Sequence, residues 1–260
     1  MSDYFRITGI KKSFNTREGE LDVLGGIDLT VQEKEFVCIM GTSGCGKSTL
    51  MRIMEGIESP DEGQVTLEGE PLPAKPDKKF QKRFGIVYQS DNLLDWRTVY
   101  KNVELPLSVF DMKKKINSKK KIIEVLELVG LADFKNCLPK ELSGGMKQRA
   151  AIARALVTNP DLLMLDQPFG ALDAITRKML NVELLKIWKE TQKTCIMITN
   201  NVNEALYLGQ RILILSNSPA KIIKEIKVPF SYDERNGDFA LNEEYLKLRS
   251  ELNHIVRSLK

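Results

Sequence analysis

The sequence predicts an α/β fold built on a mainly parallel sheet covered on both faces. Two observations predict it. First, an apolar strand, Glu35 to Met40, runs into a glycine-rich bend and then a helix, Lys47 to Ile57. Second, three further strand candidates, Leu162 to Asp166, Thr194 to Thr199 and Arg211 to Leu215, alternate with helical segments around Arg177 to Thr191 and Asn203 to Tyr207. Strands that alternate with helices and read as continuous apolar runs belong to sheets buried on both sides. At 260 residues the chain can bury one sizeable core, with room for a small inserted lobe.

The bend, Gly41-Thr42-Ser43-Gly44-Cys45-Gly46-Lys47-Ser48, fits G-x-x-x-x-G-K-[ST]. In that pattern glycine amides turn toward phosphate oxygens, the lysine reaches the terminal phosphates and the hydroxyl ligates Mg²⁺. A strand-loop-helix order puts the amides at a helix N-terminus, where unpaired N–H groups and the helix dipole favour an anion. Met51, Ile53, Met54 and Ile57 read as the core face of that helix.

Ahead of the bend, Phe5 to Ile10 and Leu21 to Val31 read as strands separated by a polar loop, Asn15 to Glu20. After the helix, Ser59-Pro60-Asp61-Glu62-Gly63 is a turn-rich stop, and Gln64 to Leu67 is the next strand. Phe84 to Gln89 is a core strand ending at a polar residue. From Ser90 to about Leu156 the pattern turns helical, with Ile122, Ile123, Val125, Leu126, Leu128 and Val129 on an apolar face near period 3.6. The last stretch, Asp233 to Lys260, begins polar and becomes an amphipathic helix through Tyr245, Leu246, Leu248, Leu252 and Ile255. The chain's single histidine, His254, is expected to face solvent there.

Four cysteines, Cys38, Cys45, Cys137 and Cys195, lie far apart with no C-x-x-C spacing, which points to free thiols in a reducing compartment. No apolar run approaches the roughly 18 residues of a membrane span, so a soluble, cytosolic protein is expected. The net charge is only +4. Its basic run, Lys113-Lys114-Lys115 with Lys119-Lys120-Lys121, lacks the interleaved aromatics of a nucleic-acid platform. It reads as a solvated loop and helix start, and acidic lipid headgroups suit it better than nucleic acid.

A second motif, Leu142-Ser143-Gly144-Gly145-Met146-Lys147-Gln148-Arg149, is a family signature. With both motifs in place the chain resembles the ATP-hydrolysing subunit of an ATP-binding cassette (ABC) transporter, from about Phe5 to the C-terminal helix. The resemblance implies a P-loop NTPase (RecA-like) core sheet with an antiparallel β subdomain and an inserted α-helical subdomain. It implies an ATPase domain over 1–230, with the helical insert at about 90–156, and a short helical extension over 231–260. ATP and Mg²⁺ are the implied ligands. Gly41, Thr42, Ser43, Gly44, Cys45, Gly46, Lys47, Ser48 and Thr49 would hold the phosphates, and Ser143, Gly144 and Gly145 would face the γ-phosphate held by an opposite subunit. Gln89 stands in the place of the glutamine loop, touching Mg²⁺ and sensing the membrane partner, with Ser48 and Asp166 as the other metal ligands. Ala171-Leu172-Asp173 resembles the D-loop. Phe14 stands where an aromatic stacks on adenine; a strand-end core residue is the alternative.

Asn92 to Val99 and Asn102 to Leu107, with Ser218 to Ile223, are most similar to importers of the nitrate, sulfonate and taurine group. The implied partners are a second ATPase subunit, in a homo- or heterodimer, transmembrane permease subunits that dock around Leu93 to Leu107, and indirectly a solute-binding protein. The implied location is peripheral, on the cytoplasmic face of the membrane, and nucleic acid is not among the partners. A cassette working in DNA repair or on ribosomes would carry a coiled-coil insert or a second cassette, and this sequence has neither.

The chain departs from the family at two positions. Leu162 to Asp166 resembles the family's Walker B strand, and Gln167 follows its aspartate, Asp166, where the family has a glutamate that polarises the attacking water; Asn200 and Asn201 occupy the stretch of the switch histidine. Glutamine can orient water but cannot accept its proton, and losing a positioned base costs about 10²–10⁴ in rate. The expected behaviour is ATP held tightly and hydrolysed slowly. Three origins fit: a substitution at 167 introduced to hold the ATP-bound dimer, a naturally weakened subunit whose signature completes a competent partner's site, or the two combined. A non-catalytic or regulatory nucleotide-binding subunit is the alternative function.

Overall fold

The computed structural model describes residues 4–17, 19–73, 75–112, 117–235 and 239–259. In chain order the strands and helices are β1 (Phe5–Thr16), β2 (Gly19–Val31), β3 (Phe36–Met40), α1 (Lys47–Met54), β4 (Glu62–Leu67), β5 (Glu70–Pro71), α2 (Lys78–Gln81) and β6 (Phe84–Val87). Then come α3 (Val99–Val109), α4 (Ser118–Leu128), α5 (Gly144–Leu156), β7 (Leu162–Asp166), α6 (Ala174–Thr191), β8 (Thr194–Ile198), α7 (Val202–Leu208), β9 (Arg211–Leu215), β10 (Ile222–Lys227) and α8 (Glu243–Ser258). The chain forms two compact units, 1–75 with 196–260 and 76–195.

The first unit holds an antiparallel sheet in the order β2-β1-β4-β5 and the run β10-β9-β3. β3 is buried at every position and pairs in parallel with β9, Val37 opposite Arg211 and Met40 opposite Ile214. A strand buried on both faces has no polar alternation, which is why its sequence reads as one apolar run. β10 was not expected; it adds antiparallel to β9 with exposed Lys224 and Glu225, the charged composition of an edge strand.

Helix α1 buries Leu50, Met51, Ile53 and Met54 but stops three residues short of the expected end. Gly56 takes φ 74, its N–H donates to Ile53 O at 3.0 Å, and Ile57 N donates to Arg52 O at 2.9 Å. That pair of bonds closes the helix with a left-handed glycine. Ile57 is therefore not a core residue: it lies beyond the cap and is 63% exposed. The expected loop over Asn15 to Glu20 is also shorter than the sequence suggests, because β1 and β2 continue to Thr16 and Gly19.

At the C-terminal end, α8 is capped by Asn242, whose carboxamide oxygen accepts from Glu244 N and Tyr245 N. It buries only Tyr245 and Leu252. Leu246, expected on the apolar face, is exposed, and His254 is exposed as expected. Phe230, Phe239 and Tyr245 pack ring on ring, and the Tyr245 hydroxyl donates to Asn203 Oδ1 on α7 at 3.1 Å.

In the second unit, β6 and β7 pair in parallel, Phe84 opposite Leu162 and Val87 opposite Leu165. The helical block resolves into α3, α4 and α5, with Ile122, Val125 and Leu126 buried as the periodicity predicts. Burying side chains of this size stabilises by about 1.5–3 kcal/mol each. Lys113, Lys114 and Lys115 lie outside the described residues, while Lys119 and Lys120 are exposed on α4. All four cysteines are free thiols.

Candidate functional site

In the first unit the glycine-rich bend joins β3 to α1. Gly44 and Gly46 take φ 80 and 103, so the chain turns with its amides inward before the helix begins. At Gly46 a side chain would also collide, since an added Cβ would lie 3.0 Å from the Val23 and Leu24 side chains and 3.1 Å from Val23 O. The Lys47 side chain is buried, and its ammonium donates to Gly41 O at 2.9 Å and Thr42 O at 2.5 Å. These two partners are neutral carbonyls. Ser48 stands exposed in the first turn of α1, and Thr49 beside it is half-buried. Ser43 is exposed at the lip of the bend, and Cys45 is buried beneath it.

Thr199 N donates to Ile39 O at 3.1 Å, which sets the end of β8 beside the end of β3. Asn200 follows, exposed, and Asn201 caps α7 by accepting from Asn203 N at 2.9 Å and Glu204 N at 3.3 Å. Buried Glu204 accepts a hydrogen bond from the Thr199 hydroxyl, fixing the turn that carries Asn200.

Phe14 lies near the tip of the β1–β2 hairpin, paired across it with Leu21. It is 37% exposed, so it is not a core residue. The hairpin tip bounds a recess of about 490 Å³ lined by Thr16, Arg17, Gly19, Glu20 and Leu21.

In the second unit, Asp166 ends β7 half-buried, and Gln167 follows it at φ 45. A left-handed backbone at a non-glycine residue is uncommon and clusters at functional sites. Gly170 N donates to Gln167 O at 2.9 Å, closing the turn. A Cβ on Gly170 would lie 3.5 Å from Gln89 Nε2 and 3.6 Å from Gln167 Cβ. Gln89 and Gln167, 78 residues apart, thus converge on one glycine.

Ser143 caps α5, its hydroxyl oxygen accepting from Met146 N at 3.3 Å. A hydroxyl that accepts one bond retains its own proton to donate. Ser143 and Gly144 are exposed, so the N-terminus of α5 is open to an approaching anion. Its glycines are needed for space: a Cβ on Gly144 would meet Leu172 Cδ2 at 3.0 Å, and one on Gly145 would meet Thr176 Cγ2 at 3.2 Å. Asp173 caps α6 by accepting from Ile175 N and Thr176 N, both at 3.0 Å. The Thr176 N–H, with help from its hydroxyl, holds the Asp173 carboxyl below its ordinary value.

Downstream of Gln89, fully buried Asn102 organises the loop. Its oxygen accepts from Leu94 N at 2.7 Å, and its amide donates to Leu94 O, Arg97 O and Thr98 O. Trp96, 76% exposed, projects from this loop. The sequence names Asn102 only as part of a family-like stretch and gives no sign of its role in the loop, nor of that of Arg154, which donates to Asp91 O and Asn92 O at 2.6 Å each. Burial pulls the Arg154 guanidinium below its ordinary value, partly opposed by Asp91. Neither residue type marks itself in a sequence, because the partners are backbone N–H and C=O groups.

The bend suits a polyphosphate: its glycines leave no side chain between amides and ligand, and the Lys47 ammonium leans on carbonyls that a phosphate oxygen can replace. The Ser48 hydroxyl, Asp166 carboxylate and Gln89 amide oxygen are hard oxygen donors of the kind Mg²⁺ takes. Among the described residues no three His, Cys, Asp or Glu side chains cluster as a metal site of their own. A Mg²⁺ ion that completes its shell with water and substrate phosphate needs no such cluster.

A family model described as ABC transporter matches residues 24–170. The chain is 41% identical to the bicarbonate transport ATP-binding protein CmpD of Synechococcus elongatus over 94% of this chain and 87% of that one. It is 41% identical to the aliphatic sulfonates import ATP-binding protein SsuB of Bacillus cereus over 90% of each. A solved structure described as the dimeric structure of a bacterial ABC transporter cassette matches with a TM-score of 0.74 and 33% identity, over 87% of this chain and all of that one.

Proposed function

This chain belongs to the ABC transporter family, and from that premise we propose that it is the ATP-binding, ATP-hydrolysing subunit of an importer for a small anionic or organic solute. The observation that carries the reading is the pairing, in one chain, of a phosphate-binding bend holding Lys47 with the exposed, Ser143-capped start of α5. Each is half of a nucleotide clamp, and each needs the other half from a second subunit. The relative solved as a dimer supports that requirement.

In this reading the amides of 41–46 and Lys47 hold the β- and γ-phosphates, with Ser48 and Thr49 at the helix start. Phe14 stacks on the adenine. Ser143, Gly144 and Gly145 of one copy or cousin close on the γ-phosphate bound by the other. Mg²⁺, held by Ser48, Asp166 and Gln89, would neutralise charge on the terminal phosphates. Catalysis then rests on positioning and charge stabilisation. Gln89 and Gln167, brought together at Gly170, orient water but take no proton from it, and Asn200 offers the γ-phosphate a neutral amide. Hydrolysis in this chain is accordingly slow relative to binding. Closure of the dimer is passed to permease subunits through the loop that Asn102 organises, where Trp96 is presented.

The subunit sits peripherally on the cytoplasmic face of the membrane; among the described residues no helix is long and apolar enough to cross one. The solute is an oxyanion such as bicarbonate or an aliphatic sulfonate, in keeping with the relatives. Gln167 and Asn200 favour one second reading, a non-catalytic or regulatory subunit that completes a competent partner's site. Reconstitution with permease subunits in proteoliposomes, ATP enclosed with the ATPase, tests the proposal. Uptake of one of these anions that requires ATP is the expected result, and normal ATP binding with uptake of none of them would contradict it.

A further inference from the structure

Phe14 reaches its position by an unusual route. Between Lys12 and Ser13 the β1–β2 register slips: Lys12 lies opposite Leu24, but Ser13 lies opposite Asp22, leaving Val23 as the extra residue. A bulge of this kind bends the strand that carries it, here β2, and increases the local twist of the pair. On the partner strand β1, Phe14 lies two residues past Lys12, just beyond the break.

The break is gripped from one residue 48 positions away. Asp61, in the turn before β4, accepts from Ser13 N at 2.7 Å on Oδ2, while the Ser13 hydroxyl shares its one proton between Glu20 Oε1 at 2.8 Å and this same Oδ2 at 3.2 Å. Asp61 Oδ1 accepts from Lys12 Nζ at 2.9 Å, and its own N–H donates to Lys11 O at 2.9 Å. Glu58 holds the same ammonium at 3.0 Å. So anchored, Lys12 places its Nζ over the Phe14 ring, 5.2 Å from the centroid. The cation covers one side of an exposed ring, and the ring presents its remaining surface to solvent.

We propose that Asp61 is a positioning residue for nucleotide binding: by clamping Lys12 and Ser13 it fixes the angle at which Phe14 meets the purine. This rests on the reading of Phe14 as the base-stacking residue. The low carboxyl value of Asp61, caused chiefly by the Ser13 N–H and then by Lys12, and the raised value of Lys12, caused first by Asp61, agree with a clamp that is charged at neutral pH. An ordinary turn carboxylate would serve only its own turn. This one bonds to two consecutive residues of another strand, on both sides of a break in that strand's register.

Calorimetric titration with Mg-ATP and, separately, with inorganic tripolyphosphate tests it, using the unaltered chain, Phe14→Ala, Asp61→Ala and the double variant. Tripolyphosphate reports the bend alone and also certifies the fold. Phe14→Ala is expected to weaken ATP about tenfold, and Asp61→Ala about three- to tenfold, as loss of one base–aromatic stack allows. Tripolyphosphate affinity stays unchanged in both, and the double variant is no weaker than Phe14→Ala. If Asp61→Ala binds ATP normally while Phe14→Ala does not, the clamp is overturned and the stacking reading stands. Equal weakening of ATP and tripolyphosphate by Asp61→Ala also overturns it, as a general structural effect. If Phe14→Ala itself leaves ATP affinity intact, the stacking reading fails and takes the clamp with it.

Discussion

Gln148 donates from Nε2 to the backbone oxygen of Gln89 at 3.0 Å, tying the helix that begins at the signature to the loop that leaves β6. Further along the same helix, Arg154 holds the carbonyls of Asp91 and Asn92. Helix α5 thus grips the Gln89 loop twice, both times through main-chain oxygens. Side-chain identity in the loop is left free for ligand and partner.

Gln148 is buried, so replacing it with leucine leaves Gln89 O without this donor while roughly preserving volume. Loss of one such bond costs about 0.5–1.5 kcal/mol. Hydrogen exchange at residues 89–93 of Gln148→Leu should accelerate accordingly, with β6 itself unaffected. Unchanged exchange in that loop would show the bond to be incidental.

The two left-handed glycines of the bend should not be equivalent. At Gly44 an added Cβ meets nothing within 4 Å, so Gly44→Ala incurs only the backbone cost, about 1–2 kcal/mol. Gly46→Ala adds the collisions with Val23 and Leu24. Urea unfolding should find Gly46→Ala the less stable of the two, and phosphate binding should suffer more in it.

How much of this was legible in the sequence depends on what kind of contact carried it. The buried strands β3, β7 and β9 announce themselves because a strand apolar on every side can only sit inside a covered sheet. The bend and the signature do so because glycine spacing is itself a backbone instruction. Helix ends were misjudged: Ile57 extends the α1 pattern by spacing alone, and only the left-handed turn at Gly56 shows that the helix has closed. β10 was missed since half of it faces solvent as charge. The contacts of Asp61, Asn102, Gln148 and Arg154 were not legible for one reason: each acts on backbone atoms of a neighbour brought close by folding. Gln89 and Gln167 were each singled out, but nothing in their order along the chain says that they meet at Gly170.

Acid should weaken the start of α6 only after the ordinary carboxylates of the chain have been protonated. Asp173 has a folded-state value depressed by its cap bonds, so its contribution is present above the ordinary carboxylate value and is lost as pH falls through the depressed one. Asp173→Asn keeps an acceptor but no charge. The melting temperature of the unaltered chain should exceed that of Asp173→Asn at neutral pH, and the gap should close as the solution is acidified below the ordinary carboxylate range and through the depressed value of Asp173. A gap independent of pH would assign the cap to hydrogen bonding alone.

Turnover should respond to a single atom change at 167. Gln167→Glu restores a group able to take the proton of the attacking water, and the rate of Mg-ATP hydrolysis should rise by about 10² or more. Equal rates would mean that Gln167 is not what limits this chain. If the variant is inert alone but active once a second nucleotide-binding subunit is added, the heterodimeric reading gains.

The most direct measurement is calorimetric titration of the purified chain and of Lys47→Ala with Mg-ATP, with light scattering on the same samples. The chain should take up one nucleotide per subunit and pair in its presence, with itself or with an added cousin subunit. Removing the ammonium should cost about 1.5–3 kcal/mol of binding and abolish pairing at the same nucleotide concentration. Saturation that is unchanged in Lys47→Ala, or no uptake of nucleotide by the folded chain, would contradict the whole account.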